Sequence, residues 1–393
     1  MHSTTEPHAA TTSPVLPLLA LGLGSFGIGT TEFAPMGLLP AIAEGTGTSI
    51  PAAGQLVTAY AIGVMVSAPV MTLFMSRFDR KAALMAMMAV LVLGNLISAL
   101  APGYWTLLVG RLITSMCQGA FFGIGAVVAT SLVPKDRQAS AVATMFMGLS
   151  IANIGGVPAS AWLGSHVGWR MAFGATVIIG LLAIAALALA LPKEAPGPRP
   201  NAKAELHALL NPQMAITLIA TVLFAGGFFA VYTYVAPLLH TLAGADDSFV
   251  VLVLALIGLG LTFGNWFGGR LADWSLDKGA RIAMLALALS SLLLPLLATS
   301  GPGAMIGFVL WAVTAFACVP ALQIRAMQAA AAAPSLGAAF NIAAFNLGNA
   351  VGAGAGGAVI GWDLGYAAVP VAGGLIVFLG LASLWATKRQ HTL

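Results

Sequence analysis

Apolar runs of eighteen or more residues recur from one end of the chain to the other, separated by short stretches where charge, Pro and Gly collect. Each run is long enough to cross about 30 Å of hydrocarbon as a helix. The pattern predicts spans at 15–40, 51–75, 82–100, 104–132, 138–164 and 171–191. It predicts six more at 213–237, 249–272, 281–299, 304–328, 336–361 and 367–387. The longest polar break, PKEAPGPRPNAKAELHALLNP (192–212), divides these twelve six and six, and its Pro and charge content reads as a linker. The expected organisation is an N-terminal bundle over 1–192, a linker over 193–212 and a C-terminal bundle over 213–393.

Composition sharpens this into a fold class. Of 393 residues, 59% are hydrophobic and only 7% charged, where a soluble domain carries roughly 25%. The chain is therefore expected to be an all-α, polytopic membrane protein. Its net charge of +4 is too modest to imply nucleic acid. The placement of the basic residues carries more. Arg77, Arg80, Lys81, Lys135, Arg137, Lys193, Arg199, Lys203, Arg270, Lys278, Arg281, Lys388 and Arg389 fall on one side. Arg170 alone falls on the other, and Arg111 and Arg325 lie within spans. The positive-inside rule then puts both termini and the linker in the cytoplasm. The opening MHSTTEPHAATTSP lacks a basic n-region, so the first apolar run reads as a retained span. Cys117 and Cys318 lie inside spans and read as small hydrophobes. Gly352, Gly354 and Gly357 satisfy G-x-G-x-x-G, but in mid-span and without the strand a nucleotide site requires. With no Walker loop, metal cluster or nucleophile–base arrangement, neither an enzyme nor a cofactor is expected.

The first span contains GSFGIGTTEFAPMGLLPAIA (24–43), and in it one carboxylate, Glu32. A charge near the bilayer centre costs roughly 2.5–3.5 kcal/mol on insertion scales, so such a group faces a cavity or a partner. Arg111 in the fourth span lies at about the same depth and is the expected partner. Protonating Glu32 would loosen such a pair; a static pair that only fixes packing is the alternative. Arg111, Ser115, Gln118 and Phe122 recur on one helical stripe, while Ile28, Glu32 and Met36 share another face and Phe228 and Tyr232 a third. With Trp311 and Asn341 these form the expected lining of a substrate cavity, apolar and aromatic with few polar anchors. Taken singly, each aromatic is better accounted for by ordinary helix packing. Arg325, near the end of the tenth span, is expected to snorkel. Glycine ladders at Gly260, Gly264 and Gly268 and at Gly348, Gly352 and Gly356, with Gly156 and Gly164 in the fifth span, mark close helix approaches. Pro158 is expected to bend the fifth span. His240, Asp246 and Asp247 read as solvated.

The two halves repeat. TLFMSRFDRKAAL (72–84) and GRLADWSLDKGAR (269–281) are offset by 197, and ANIGGVPASAWLG (152–164) and GNAVGAGAGGAVI (348–360) by 196. Two such bundles with a site between them suit alternating access. GRLADWSLDKGAR resembles the loop motif G-x-L-A-D-R-x-G-R-K of the major facilitator superfamily at Gly269, Leu271, Ala272, Asp273 and Lys278. The first copy keeps Arg77, Arg80, Lys81 and Leu84, with Ser76 in place of the aspartate. Together with TTEFAPMGLLPAIA, QGAFFGIGAVVA, GVPASAWLG, YTYVAPLL and NIAAFNLGNAVGA, the chain is similar to bacterial drug:proton antiporters, particularly sugar-efflux and arabinose-efflux-like permeases. Gln118 stands where many of these carry His.

The resemblance implies twelve transmembrane helices in two pseudo-symmetric six-helix bundles, in the inner membrane. Spans 1, 4, 7 and 10 would surround the cavity, and spans 5 and 8, and 2 and 11, would meet across the halves. Arg77, Arg80, Lys81, Gly269, Asp273 and Lys278 would form the cytoplasmic gate. The implied activity is proton-coupled efflux of a drug or sugar by a monomer whose partners are its substrate, protons and the bilayer. A nucleoside or sugar importer or facilitator without coupling, and a sensor that binds without transporting, are the rival readings.

Overall fold

The computed structural model describes residues 14–75, 77–134, 137–191, 212–330 and 334–386. The described residues are helical and contain no strand. The first half comprises α1 (Val15–Thr46), α2 (Ile50–Met75), α3 (Arg80–Ala99), α4 (Tyr104–Ser131), α5 (Gln138–Ile151), a π-helical turn (Ala152–Gly156), α6 (Val157–His166) and α7 (Trp169–Ala190). The second comprises α8 (Pro212–Tyr232), α9 (Val235–Ala243), α10 (Asp247–Trp274), α11 (Leu276–Leu297), α12 (Gly301–Ala329), α13 (Pro334–Gly361) and α14 (Ala368–Ala386). Among the described residues, eleven of the predicted spans are long and apolar enough to cross a membrane. The remaining one, α13, is a helix of 28 residues packed against α8 and α2. The linker, except Pro212, lies outside the described residues, as do Ser76, Lys135, Lys388 and Arg389.

Local chemistry sets the helix ends and the breaks. Asp79, Asp246, Ser275 and Ser300 cap α3, α10, α11 and α12 by accepting from backbone N–H groups of the first turn. Asp246 is therefore a cap rather than a merely solvated residue. Gly47 (φ 64°) and Gly244 (φ 60°) end α1 and α9 in the left-handed conformation that glycine adopts without strain. Span 5 is interrupted by the π turn, just ahead of Pro158. Proline lacks an N–H and crowds the carbonyl four residues back, and a wider turn accommodates both. Span 7 stops at Tyr232 and restarts at Val235. There Pro237 has no N–H for Thr233.

The face where α7 ends and α8 begins is termed the linker face, and the opposite one the distal face. Two hydrophobic cores follow this axis. One contains Leu21, Leu84, Met88, Phe121, Met145 and Leu187, all from the linker-face part of the first half. The other joins Leu39, Val57, Leu107 and Phe173, from the distal part of the first half, to Phe224, Leu254, Leu287 and Trp311 of the second. Among the described residues the halves thus share a core toward the distal face only. The closest approaches confirm it: a side-chain carbon at Gly54 would collide with the Tyr234 ring, and one at Gly258 with the Asn153 backbone.

Those two glycines differ from the ladders read in the sequence. Gly260, Gly264 and Gly268 approach the α12 backbone. Gly348, Gly352 and Gly356 approach α8, and Gly156 and Gly164 meet Thr30 and Leu38 of α1. The ladders bind helices within each half and do not join the halves. Small residues let backbones meet wherever a neighbour lies, and periodicity does not name the neighbour.

Candidate functional site

α1 runs through the middle of the first half, and Glu32 is buried in it with 3% of its surface exposed. Three residues later comes Pro35, which has no N–H to offer the Thr31 carbonyl. Arg111 takes up that carbonyl, donating through Nη1 to Thr31 O at 2.5 Å and through Nη2 to Glu32 O at 3.5 Å. Its guanidinium lies over the Tyr60 ring, 4.1 Å from the centroid, a contact worth about 2 kcal/mol when desolvated. Thr31 is held from the other side by donating to Asn95 Oδ1 at 2.7 Å.

The expected depth match between Glu32 and Arg111 is present, but among the described residues no ion pair joins their side chains. The guanidinium is committed to the Thr31 carbonyl that Pro35 leaves open and to the Glu32 carbonyl beside it. The Glu32 carboxylate instead accepts from Gln118 Nε2 at 2.9 Å, and Gln118 Oε1 in turn accepts from the Tyr60 hydroxyl at 2.8 Å. Tyr60, absent from the sequence reading, completes the group. A lone tyrosine in an apolar span gives no intrahelical signal; the usable one was Pro35, which marks Thr31 O as needing a donor.

The remaining expected lining residues divide. Phe228, Tyr232 and Trp311 come together, with Phe228 stacked on Trp311 at 4.9 Å and 5.2 Å from Tyr232. Phe33, next to Glu32, reaches across to this cluster, 5.9 Å from Tyr232 and 6.4 Å from Phe229. The Tyr232 hydroxyl donates to Asn153 Oδ1 at 3.0 Å, the hydrogen bond that ties the π turn to the second half. The rest lie elsewhere. Ile28 and Met36 are buried in the two separate cores. Ser115 donates to Leu112 O and packs on Gly63 of α2, and Phe122 stacks on Phe146 of α5. Asn341 links three helices of the second half, accepting from Thr221 at 2.6 Å and donating to Gln323 at 2.6 Å. The stripe on α4 is real as a helical face, but several neighbouring helices divide it.

At the linker face, Arg325 pairs with Asp277 and is 7% exposed. The expected snorkelling is replaced by this ion pair, because the first turn of α11 brings a carboxylate to the end of α12. Lys81 binds the carbonyls of Ala188 and Leu191 at 2.5 and 2.6 Å, closing the end of α7. Arg77, Asp273 and Lys278 are exposed, and Gly269 has open space around it. Near the distal face, His240 is partly buried, bonded to Ala245 O at 2.8 Å and 3.5 Å from Asp247.

Long apolar helices in two repeated halves that share a core, with a buried polar group inside the first, define a multi-pass membrane transporter. The model of the Major Facilitator Superfamily matches residues 21–353, and the chain belongs to that family. It is 52% identical over 375 residues to the inner membrane transport protein YdhP of Escherichia coli (strain K12), covering 95% of this chain and 96% of that one. It is 33% identical to the putative transporter AraJ of the same organism, covering 93% of each. Identity to a chloramphenicol resistance protein of Streptomyces lividans is 29%, covering 93% and 94%. The fold is also that of a bacterial homologue of the human lysosomal transporter Spinster, solved inward-facing and unoccupied, with TM-score 0.77 and 16% identity over 98% of both chains.

Proposed function

We propose that this transporter exports a small neutral or amphipathic molecule across the inner membrane in exchange for protons, with Glu32 as the coupling carboxylate. The observation that carries the reading is the way Glu32 is held. It is buried at mid-span and bound by a neutral amide, while the nearest cation is engaged by backbone carbonyls. No ion pair ties Glu32 to that cation, so its proton comes and goes without breaking one.

The positive-inside rule makes the linker face cytoplasmic. The halves join at the distal face, which suits a conformation that accepts substrate from the cytoplasm. The aromatic wall of Phe228, Tyr232 and Trp311 supplies stacking surface, and the unpartnered Nε1 of Trp311 supplies a donor. Exposed Arg77, Asp273 and Lys278 suit a gate that is open in this state and docks in the other. Substrate binding favours proton release from Glu32. After reorientation the carboxylate takes a proton from the outer side, and the neutral site returns. One charge moved across 100 mV gains about 2.3 kcal/mol. At 1.4 kcal/mol per decade this sustains roughly a forty-fold substrate gradient. The chloramphenicol resistance relative supports the export direction.

Proteoliposomes with an imposed pH gradient test this, comparing wild type with Glu32→Gln over a panel of sugars, nucleosides, chloramphenicol and cationic dyes. The expected result is uphill movement of one compound by wild type only, with exchange retained in the variant. Equal pumping by both would remove Glu32 from the mechanism.

A further inference from the structure

We propose that Gln118 and Tyr60 form a relay that reads the proton state of Glu32 and passes it from α1 to α2. The proposal rests on the reading of Glu32 as the titrating group. Its own basis is the direction of two hydrogen bonds. A primary amide has one donor end and one acceptor end. In the structure the nitrogen of Gln118 faces the Glu32 carboxylate and the oxygen faces the Tyr60 hydroxyl, which donates to it. Only an ionised Glu32, or the carbonyl oxygen of a neutral one, accepts from that nitrogen.

When Glu32 takes a proton from water, its new hydroxyl is a donor and its best partner is the amide oxygen. Turning the amide over satisfies it. The nitrogen then faces the phenol oxygen of Tyr60, which must stop donating to Gln118 and accept instead. One proton on α1 thereby reverses the polarity of a hydrogen bond on α2. Gln118 itself cannot carry the proton, so it transmits the state without storing it. Gln118 is 7% exposed and Tyr60 1%, so water does not substitute for either partner.

The receiving helix packs along the other half. α2 packs against α13, and Gly54, six residues distal to Tyr60, lies against the Tyr234 ring. Arg111 sits over the Tyr60 ring, which holds the ring while its hydroxyl hydrogen remains free to turn. Among the described residues, the titratable or charged groups facing Glu32 are Tyr60 of α2, Arg111 and Cys117 of α4, and Tyr232 of α8. Of these, Tyr60 alone is joined to the carboxylate through the amide. Tyr60 is a positioning residue: it acts on Glu32 through Gln118.

The probe is the proton itself, so the test needs no identified substrate. The purified full-length protein in lipid is titrated while infrared difference spectra follow the carboxylic C=O stretch that Glu32→Gln removes. Tyr60→Phe keeps the ring beneath Arg111 and deletes only the hydroxyl. The variant removes a bond in each state, but a phenol donates more strongly than it accepts and its O–H loses its partner when the amide turns. The ionised form therefore loses more and the protonated form gains. The expected result is a midpoint about one pH unit higher, a tenfold gain in proton affinity, in a protein that stays folded and monodisperse. In wild type the tyrosine C–O band shifts with the same midpoint, and Tyr60→Phe removes that shift. In a Gln118→Leu background, Tyr60→Phe has no further effect on the midpoint. If Tyr60→Phe leaves the midpoint in place while Glu32→Gln abolishes the band, the relay is wrong and Glu32 keeps its role. If Glu32→Gln abolishes no band, both readings fall.

Discussion

The hydrogen bond from Tyr232 to Asn153 crosses between the halves at 3.0 Å, and removing it should loosen the distal face. Tyr232→Phe is the clean perturbation. It keeps the ring against Phe228, Phe33 and Trp311, at centroid distances of 5.2, 5.9 and 6.2 Å. The Asn153 amide nitrogen keeps its bond to Leu149 O at 3.0 Å, so only Oδ1 loses its donor. Side-chain hydrogen bonds inside membrane proteins average about 0.6 kcal/mol, with a maximum near 1.7. At 1.4 kcal/mol per tenfold, the ratio of distal-closed to distal-open molecules falls about threefold, and at most about sixteenfold. Spin labels at Glu44→Cys and Ser248→Cys, both exposed near the distal face in opposite halves, report that ratio by pulsed dipolar spectroscopy. The background replaces the buried Cys117 and Cys318. Tyr232→Phe should raise the long-distance population, and Asn153→Ala should raise it equally, with no additional effect in the double variant. Identical distance distributions in all four proteins, or strictly additive shifts, would refute the clasp.

Two further predictions concern stability. Asp277→Asn leaves Arg325 as a buried, unpaired cation. Because Asp277 is itself 62% exposed, the loss should be about 1–3 kcal/mol, between the values for exposed and buried pairs. Thermal melts of single and double variants in a mutant cycle check this, and zero coupling would contradict it. Gly352→Val forces a side chain into the backbone of Gly226 and Ala230. Overpacking of that kind costs about 1–3 kcal/mol or more. It should lower the melting temperature and the monodisperse yield, whereas Gly354→Val, into open space, should do neither.

The spans are legible in the sequence because length and hydropathy decide them, and their order is dictated by alternation across a membrane. The breaks are only half legible. Pro158 announces a bend in span 5, yet the π turn that relieves it depends on α1 and α10 packing around Asn153. Pro237 carries the same warning in span 7. The site shows where reading one helix at a time stops. Glu32, Arg111 and Gln118 stand out because each is a polar group in an apolar run. Tyr60 does not, because tyrosine is unremarkable there until Arg111 and Gln118 arrive from another helix. Ser115 and Phe122 share a stripe with Arg111, but a stripe of twelve residues rotates past more than one neighbour. At the linker face the loop motif draws attention to Asp273, while Arg325 pairs with the carboxylate four residues later.

The absence of a direct Glu32–Arg111 pair among the described residues matters for the proposed cycle. Breaking a buried ion pair by neutralising one member costs about 3–5 kcal/mol, because the other charge is left uncompensated. A proton falling through 100 mV supplies only about 2.3 kcal/mol. A direct pair would therefore hold its proton state against the gradient that is meant to change it. The observed arrangement separates the two tasks. Pro35 frees a carbonyl, Arg111 takes it and rests on Tyr60, and Nη1 and Nη2 keep their backbone partners whatever Glu32 does. What protonation then disturbs is a single amide bond, worth about 1.5–3 kcal/mol when its acceptor is charged. Turning the amide recovers part of that, which leaves a switch within the reach of the membrane potential. On this argument Pro35→Ala should be the variant that damages coupling without touching a polar side chain. An alanine there supplies the backbone N–H that proline lacks, and bonding it to Thr31 O would release Arg111 toward the carboxylate. The infrared midpoint of Glu32 should then fall by about one pH unit or more, and an unmoved midpoint would show that Arg111 is held by something other than the freed carbonyl.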